Sequence, residues 1–150
     1  MIIEDTAVST RRAYDLKNPD YPCNILNTKF RSVCYFELGK FWYSVFYQDL
    51  AKADQICSNT KNPELNKYCF LGIGNRIVAE SKKGLEETKK KCSEMVGIDS
   101  QIYCRFGGSL GFAIESGEVR ENRIKRFCEG LAEPYLQKCV DLKNMDMRVI

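Results

Sequence analysis

The side chains best suited to chemistry in this chain are its eight cysteines: Cys23, Cys34, Cys57, Cys69, Cys92, Cys104, Cys128 and Cys139. Thiols act as nucleophiles, as metal ligands or as halves of disulfides, and spacing separates these roles. Structural zinc and iron–sulfur sites usually take two sulfurs from a C-x-x-C pair, whereas no two cysteines here lie closer than 11 residues. A catalytic thiol needs a neighbouring base, most often histidine, and the sequence has no histidine. The same absence removes Ser-His-Asp triads and histidine-ligated metals or haem. Disulfides remain, and no metal or other cofactor is expected.

The separations between successive cysteines are 11, 23, 12, 23, 12, 24 and 11 residues, short and long in strict alternation. They define four units beginning at Cys23, Cys57, Cys92 and Cys128, each about 35 residues long, the length range of stacked helical hairpins. Pairing across the short gaps joins Cys23–Cys34, Cys57–Cys69, Cys92–Cys104 and Cys128–Cys139 and leaves no thiol over. Pairing across the long gaps, as Cys34–Cys57, strands Cys23 and Cys139 at opposite ends, so the short-gap scheme is expected. Each such bridge is worth roughly 2–3 kcal/mol by loop closure. Disulfides persist in extracellular, periplasmic or lumenal compartments. The opening residues MIIEDTAVST lack the basic start and apolar stretch of a signal peptide, so the chain is expected to be a fragment of an exported protein.

Carboxylates are the other available chemistry, as in glycan hydrolysis by paired acids. Glu37, Glu80 and Glu115 fall within helical patterns, where the expectation is exposed helix charge. A small, muramidase-like glycan hydrolase is the alternative function they leave open.

The densest aromatic stretch runs from Tyr35 to Tyr47, with seven aromatic residues in 13. One helical face can bury Phe36, Trp42, Tyr43 and Phe46, while Tyr35, Phe41 and Tyr47 are harder to bury on that face. They either cover the segment 11–27 or join Trp42 in a recognition surface, since aromatics anchor interfaces. The binding hypothesis therefore rests on Tyr35, Phe41, Trp42 and Tyr47.

The elements that carry these residues follow from alignment on the second cysteine of each unit. Val33, Tyr68 and Tyr103 precede it; Phe36, Leu71 and Phe106 lie two after it; Gly39, Gly74 and Ser109 five after; Trp42, Ile77 and Phe112 eight after. Such offsets share one face of a 3.6-residue helix. They predict first helices near 28–47, 64–82, 99–116 and 132–144, and shorter second helices near 49–57, 84–94 and 119–131. Asp49, Gly84 and Gly117 mark breaks, and Asp99 or Ser100 is a candidate cap. The small residues five after the cysteine let neighbouring helices approach closely.

Composition bounds the rest. A net charge of +3 is too small to argue for nucleic acid, and no apolar run is long enough to span a bilayer. Lys89 to Lys91 and Arg123 to Arg126 read as solvated helix faces. The expected fold is all-α, an array of disulfide-stapled antiparallel hairpins. A partly irregular N-terminal segment (1–22) precedes one helical-repeat domain (23–150) whose last unit is truncated.

In hairpin length, and in having one cysteine close each second helix and another open the next first helix, residues 23–140 resemble the cysteine-rich, tetratricopeptide-like repeat proteins that bacteria secrete. The run from Cys69-Phe70-Leu71-Gly72 to Lys91-Cys92 shows the likeness best. The resemblance implies a stacked helical superhelix that binds a protein, peptide or glycan without catalysis.

Overall fold

The computed structural model describes residues 16–46, 49–81, 84–111 and 117–141. Among them are seven α-helices and no strand: α1 (Thr28–Val45), α2 (Leu50–Ser58), α3 (Asn66–Glu80), α4 (Leu85–Ser93), α5 (Ile98–Leu110), α6 (Gly117–Cys128) and α7 (Tyr135–Asp141). No helix of the described residues is long and apolar enough to cross a membrane.

The helices begin where local chemistry supplies acceptors for unpaired N–H groups. The Asn27 side chain accepts from Lys29 N–H and starts α1, and that of Asp49 accepts from Lys52 N–H and starts α2. Gly84, at a φ of 96°, turns the chain into α4. That helix carries Glu86 and Glu87 in its first turn and Lys90 and Lys91 in its last, matching its dipole. At the start of α5, Ser100 reaches back to accept the Gly97 N–H at 3.1 Å. The Pro63–Leu65 stretch, expected as the opening of a first helix, is a separate 3-10 turn ahead of α3.

Four disulfides close the short gaps, Cys23–Cys34, Cys57–Cys69, Cys92–Cys104 and Cys128–Cys139, with Cα–Cα separations of 5.5–5.8 Å. They leave no free cysteine. Four such bridges are consistent with an oxidising compartment.

Helix α3 lies between α1 and α5, and these two pairings are the most extensive among the described helices. α2 packs on α1 and α3, α4 on α3 and α5, and α6 on α5 and α7. The α1–α3–α5 row is close because glycine backbones meet carbonyls across it. A Cβ on Gly39 would strike the Cys69 carbonyl oxygen, and one on Gly72 that of Phe36; Gly74 meets Cys104 and Gly107 meets Leu71 in the same way. α3 thus carries two glycines, Gly72 toward α1 and Gly74 toward α5. Glu37 occupies the position aligned with Gly72 and Gly107.

Two buried aspartates, Asp20 in a turn and Asp54 in α2, fasten the loops that follow the first cysteine of the next unit. Asp20 Oδ2 accepts from Lys61 N–H at 2.8 Å and from the Tyr35 hydroxyl at 2.7 Å. Asp54 Oδ2 accepts from Val96 N–H at 2.5 Å and from the Ser100 hydroxyl at 2.9 Å, while its Oδ1 accepts from the Ser58 hydroxyl at 3.1 Å. Arg105 does related work at the end of α6: its Nε donates to the Phe127 carbonyl at 2.7 Å and its Nη2 to that of Glu129 at 2.6 Å. Carbonyls of a final helical turn have no intrahelical partner, and the buried guanidinium supplies one.

The aromatic stretch of α1 is interior. Tyr35, Phe41 and Trp42 are 0%, 5% and 1% exposed, so they offer no recognition surface here. Tyr47 lies outside the described residues. The reason is the segment before α1, which does more than its few apolar residues suggest. It offers acceptors to the polar tips of the rings: the Asp20 carboxylate takes the Tyr35 hydroxyl, and the Pro19 carbonyl takes Trp42 Nε1–H at 3.3 Å. An aromatic ring with a polar tip buries readily once that tip is bonded.

Candidate functional site

With those aromatics in the core, the exposed apolar side chains gather elsewhere. Phe30 is 53% exposed, Val33 45%, Ile98 73% and Tyr135 37%. All four sit at or near the N-terminal ends of α1, α5 and α7, while Leu16, Tyr21, Ile25 and Val96 are exposed outside the α-helices. Scattered single hydrophobics need no explanation, but those that border a groove do; Phe30 and Val33 line one groove and Ile98 another.

Two grooves lie between the helices. Between α1 and α3 a groove of about 680 Å³ is lined by Thr28, Lys29, Phe30, Ser32, Val33, Leu65 and Tyr68. Between α3 and α5 a second, of about 770 Å³, is walled by Pro63, Glu64, Lys67 and Phe70 on one side and by Ile98, Asp99, Ser100 and Tyr103 on the other. The two grooves use aligned positions. Lys29, Ser32 and Val33 face Leu65 and Tyr68 in the first; 35 residues later, Glu64 and Lys67 face Ser100 and Tyr103 in the second.

Local chemistry distinguishes the two. The first groove is apolar, with Lys29 as its charged lining residue; the Lys29 ammonium lies 5.0 Å from the centre of the Phe30 ring. The second holds two carboxylates, Glu64 and Asp99, and one ammonium, Lys67, which lies 5.2 Å from the Tyr68 ring. Burial raises the Tyr103 phenol above its ordinary pKa, and Asp99, Tyr135 and Tyr68 raise it further. Tyr68 is raised by burial. Both phenols are therefore neutral hydrogen-bonding groups at physiological pH.

The carboxylates singled out for hydrolysis sit elsewhere and are tied up locally. Glu37 pairs with Lys40 at 3.1 Å and Glu80 with Arg76 at 2.5 Å, each within its own helix. Glu115 lies outside the described residues. Among the described residues no cluster of three or more histidine, cysteine or acidic side chains could hold a metal ion. Val33, Tyr68 and Tyr103 are equivalent positions in the sequence; in the structure Val33 and Tyr68 line the first groove and Tyr103 the second. Comparisons with protein-family models, with characterised proteins and with solved structures return no match.

Proposed function

We propose that the chain is an exported, non-enzymatic helical-repeat module that holds an extended segment of a protein partner in the grooves at the N-terminal ends of α1, α3 and α5. In this reading the four cysteine-defined units are stacked hairpins of the tetratricopeptide-like plan, and the disulfides staple the turns between them. The observation that carries it is the recurrence of one groove, built from aligned positions 35 residues apart, with exposed apolar side chains at its mouth. A recurring groove suits a ligand that itself repeats its shape, as an extended backbone does.

A peptide fits this surface better than a folded partner does, because its apolar features are grooves between helices and not a flat face. Affinity would come from apolar anchors desolvated in the grooves, where truncation typically costs about 2 kcal/mol or more. A display library of linear dodecapeptides, selected on oxidised protein, tests the reading. Enriched peptides should lose at least about tenfold in affinity on Phe30→Ala and on Ile98→Ala, with the melting temperature unchanged. Peptides insensitive to both changes, or binding of chitohexaose and of no peptide, would defeat it.

A further inference from the structure

We infer that the paired grooves read two side chains of one extended peptide: an apolar residue in the α1–α3 groove and a lysine or arginine, two positions away, in the α3–α5 groove. The inference rests on the peptide-binding reading and adds a register and a charge order to it.

Spacing sets the register. Ordinary packed helices stand about 8–10 Å apart, and glycine-to-carbonyl contact brings α1, α3 and α5 to the short end of that range or below it. Same-face side chains of an extended chain, two residues apart, are separated by about 6.6 Å. The next same-face pair, four residues apart, is about 13 Å away and overshoots one helix spacing. Neighbouring grooves therefore match neighbouring same-face side chains, with the intervening residue pointing to solvent.

Lining chemistry sets the order. In the first groove Phe30, Val33, Leu65 and Tyr68 present apolar surface, and Lys29 opposes a cation. In the second, Glu64 and Asp99 stand on opposite walls with the rings of Phe70 and Tyr103. A groove lined by both carboxylates and aromatic rings suits an ammonium or guanidinium, which can gain from either. Acidic residues near helix starts also answer the helix dipole. The aligned position in α1 is nevertheless Lys29, against its dipole, so helix stability alone does not dictate the charge here. Lys67 lowers the net charge of the second groove to one negative, and its ammonium is turned to the Tyr68 ring.

The direction in which the peptide runs is left free, so the probes include both orders. Four acetylated, amidated dodecapeptides of Gly and Ser would carry one Leu and, two positions before or after it, one Lys or one Glu. Each is titrated into oxidised ¹⁵N-labelled protein at low ionic strength, and amide shifts of Val33, Tyr68 and Tyr103 are followed by NMR, with chitohexaose as a separate titrant. The better Lys peptide should bind at least about threefold more tightly than either Glu peptide. The preference should shrink in 0.5 M salt and vanish in the exposed pair Glu64→Gln with Asp99→Asn, which should still bind. Equal binding of Lys and Glu peptides would overturn the charge order and leave the peptide reading standing. Shifts from chitohexaose alone, or none from any peptide, would overturn both.

Discussion

The carboxylate of Asp54, in the middle of α2, lies 2.5 Å from the backbone nitrogen of Val96, beyond the end of α4. Asp20 stands in the same relation to Lys61, at 2.8 Å. In both cases the acid sits three residues before the first cysteine of a unit, and the nitrogen sits four residues after the first cysteine of the next. The contact thus fastens each bridge loop to the helix or turn before it. Removing such a carboxylate strands buried donors, at about 1–3 kcal/mol per orphaned group. Asp54→Ala is therefore expected to lower stability by about 2–4 kcal/mol, and Ser100→Ala by about 1. Urea unfolding of the oxidised protein measures both; an Asp54→Ala loss below about 0.5 kcal/mol would mean the clamp is idle.

These aspartates show why part of the fold escaped sequence reading. Lys89 and Lys125 stand at the corresponding positions of the later units, so the acid has no period across the chain. Lys89 instead donates to the Arg126 carbonyl at 3.3 Å. The cysteines were legible because their alternation is unbroken, and the helices because offsets of two, five and eight repeat with them. The aromatic run in α1 was legible as unusual, yet its role was not. Whether Tyr35 and Trp42 are covered depends on where Asp20 and the Pro19 carbonyl come to lie, and local periodicity carries no such information. The grooves escaped for a related reason: they form between helices, from Phe30 and Val33 against Leu65 and Tyr68, far apart in the chain.

The glycine contacts yield a sharper contrast. Gly74→Ala drives a methyl into the Cys104 carbonyl, which is backbone and cannot rotate away. Two helices would have to move apart, and overpacking of this kind costs about 1–3 kcal/mol or more. Gly84 has open space around its Cβ position, so Gly84→Ala costs only the strain of its extended, positive-φ backbone, about 1–3 kcal/mol. Thermal denaturation of the two variants should rank Gly74→Ala clearly lower. The reverse order would mean that α3 and α5 do not meet backbone to backbone.

The disulfides can be tested one at a time. Peptide mapping under non-reducing conditions should recover the four short-gap pairs. Replacing Cys57 and Cys69 together by Ser opens a loop of 12 residues' separation and should cost about 3 kcal/mol. Replacing one cysteine alone should cost more, since it also leaves a free thiol able to exchange with the remaining bridges.

Alkaline pH should expose the buried phenols. Burial pushes Tyr35 and Tyr43 from 10.0 up to about 12, with Asp20 and Glu80 respectively adding to the rise. Below pH 10 these phenols are neutral in the folded and the unfolded chain alike, so the stability is whole. Between about 10 and 12 the unfolded chain ionises them and the folded chain does not, so stability falls as pH rises. Absorbance titration at 295 nm should show a late ionisation step, for Tyr35 and Tyr43, that coincides with loss of helix by circular dichroism. Ionisation of every tyrosine in one step near 10, with helix intact, would contradict the burial of Tyr35 and Tyr43.

Core and groove aromatics should separate cleanly under mutation. Phe41 and Trp42 are almost wholly buried, and their rings meet edge to face at 5.1 Å between centroids. Truncating a buried ring to alanine typically costs about 3–5 kcal/mol. Phe30 is a different case: more than half exposed, it touches the groove with one side and solvent with the other. Changes at such positions usually move stability by no more than about 0.5 kcal/mol. Phe41→Ala and Trp42→Ala should therefore lower the urea midpoint strongly, and any loss of peptide capture should follow from unfolding alone. Phe30→Ala should keep the wild-type midpoint and weaken capture of a selected dodecapeptide by about tenfold or more. If instead Trp42→Ala stayed folded and lost capture while Phe30→Ala bound normally, the recognition surface would lie on α1 itself, and the grooves would have no part in it.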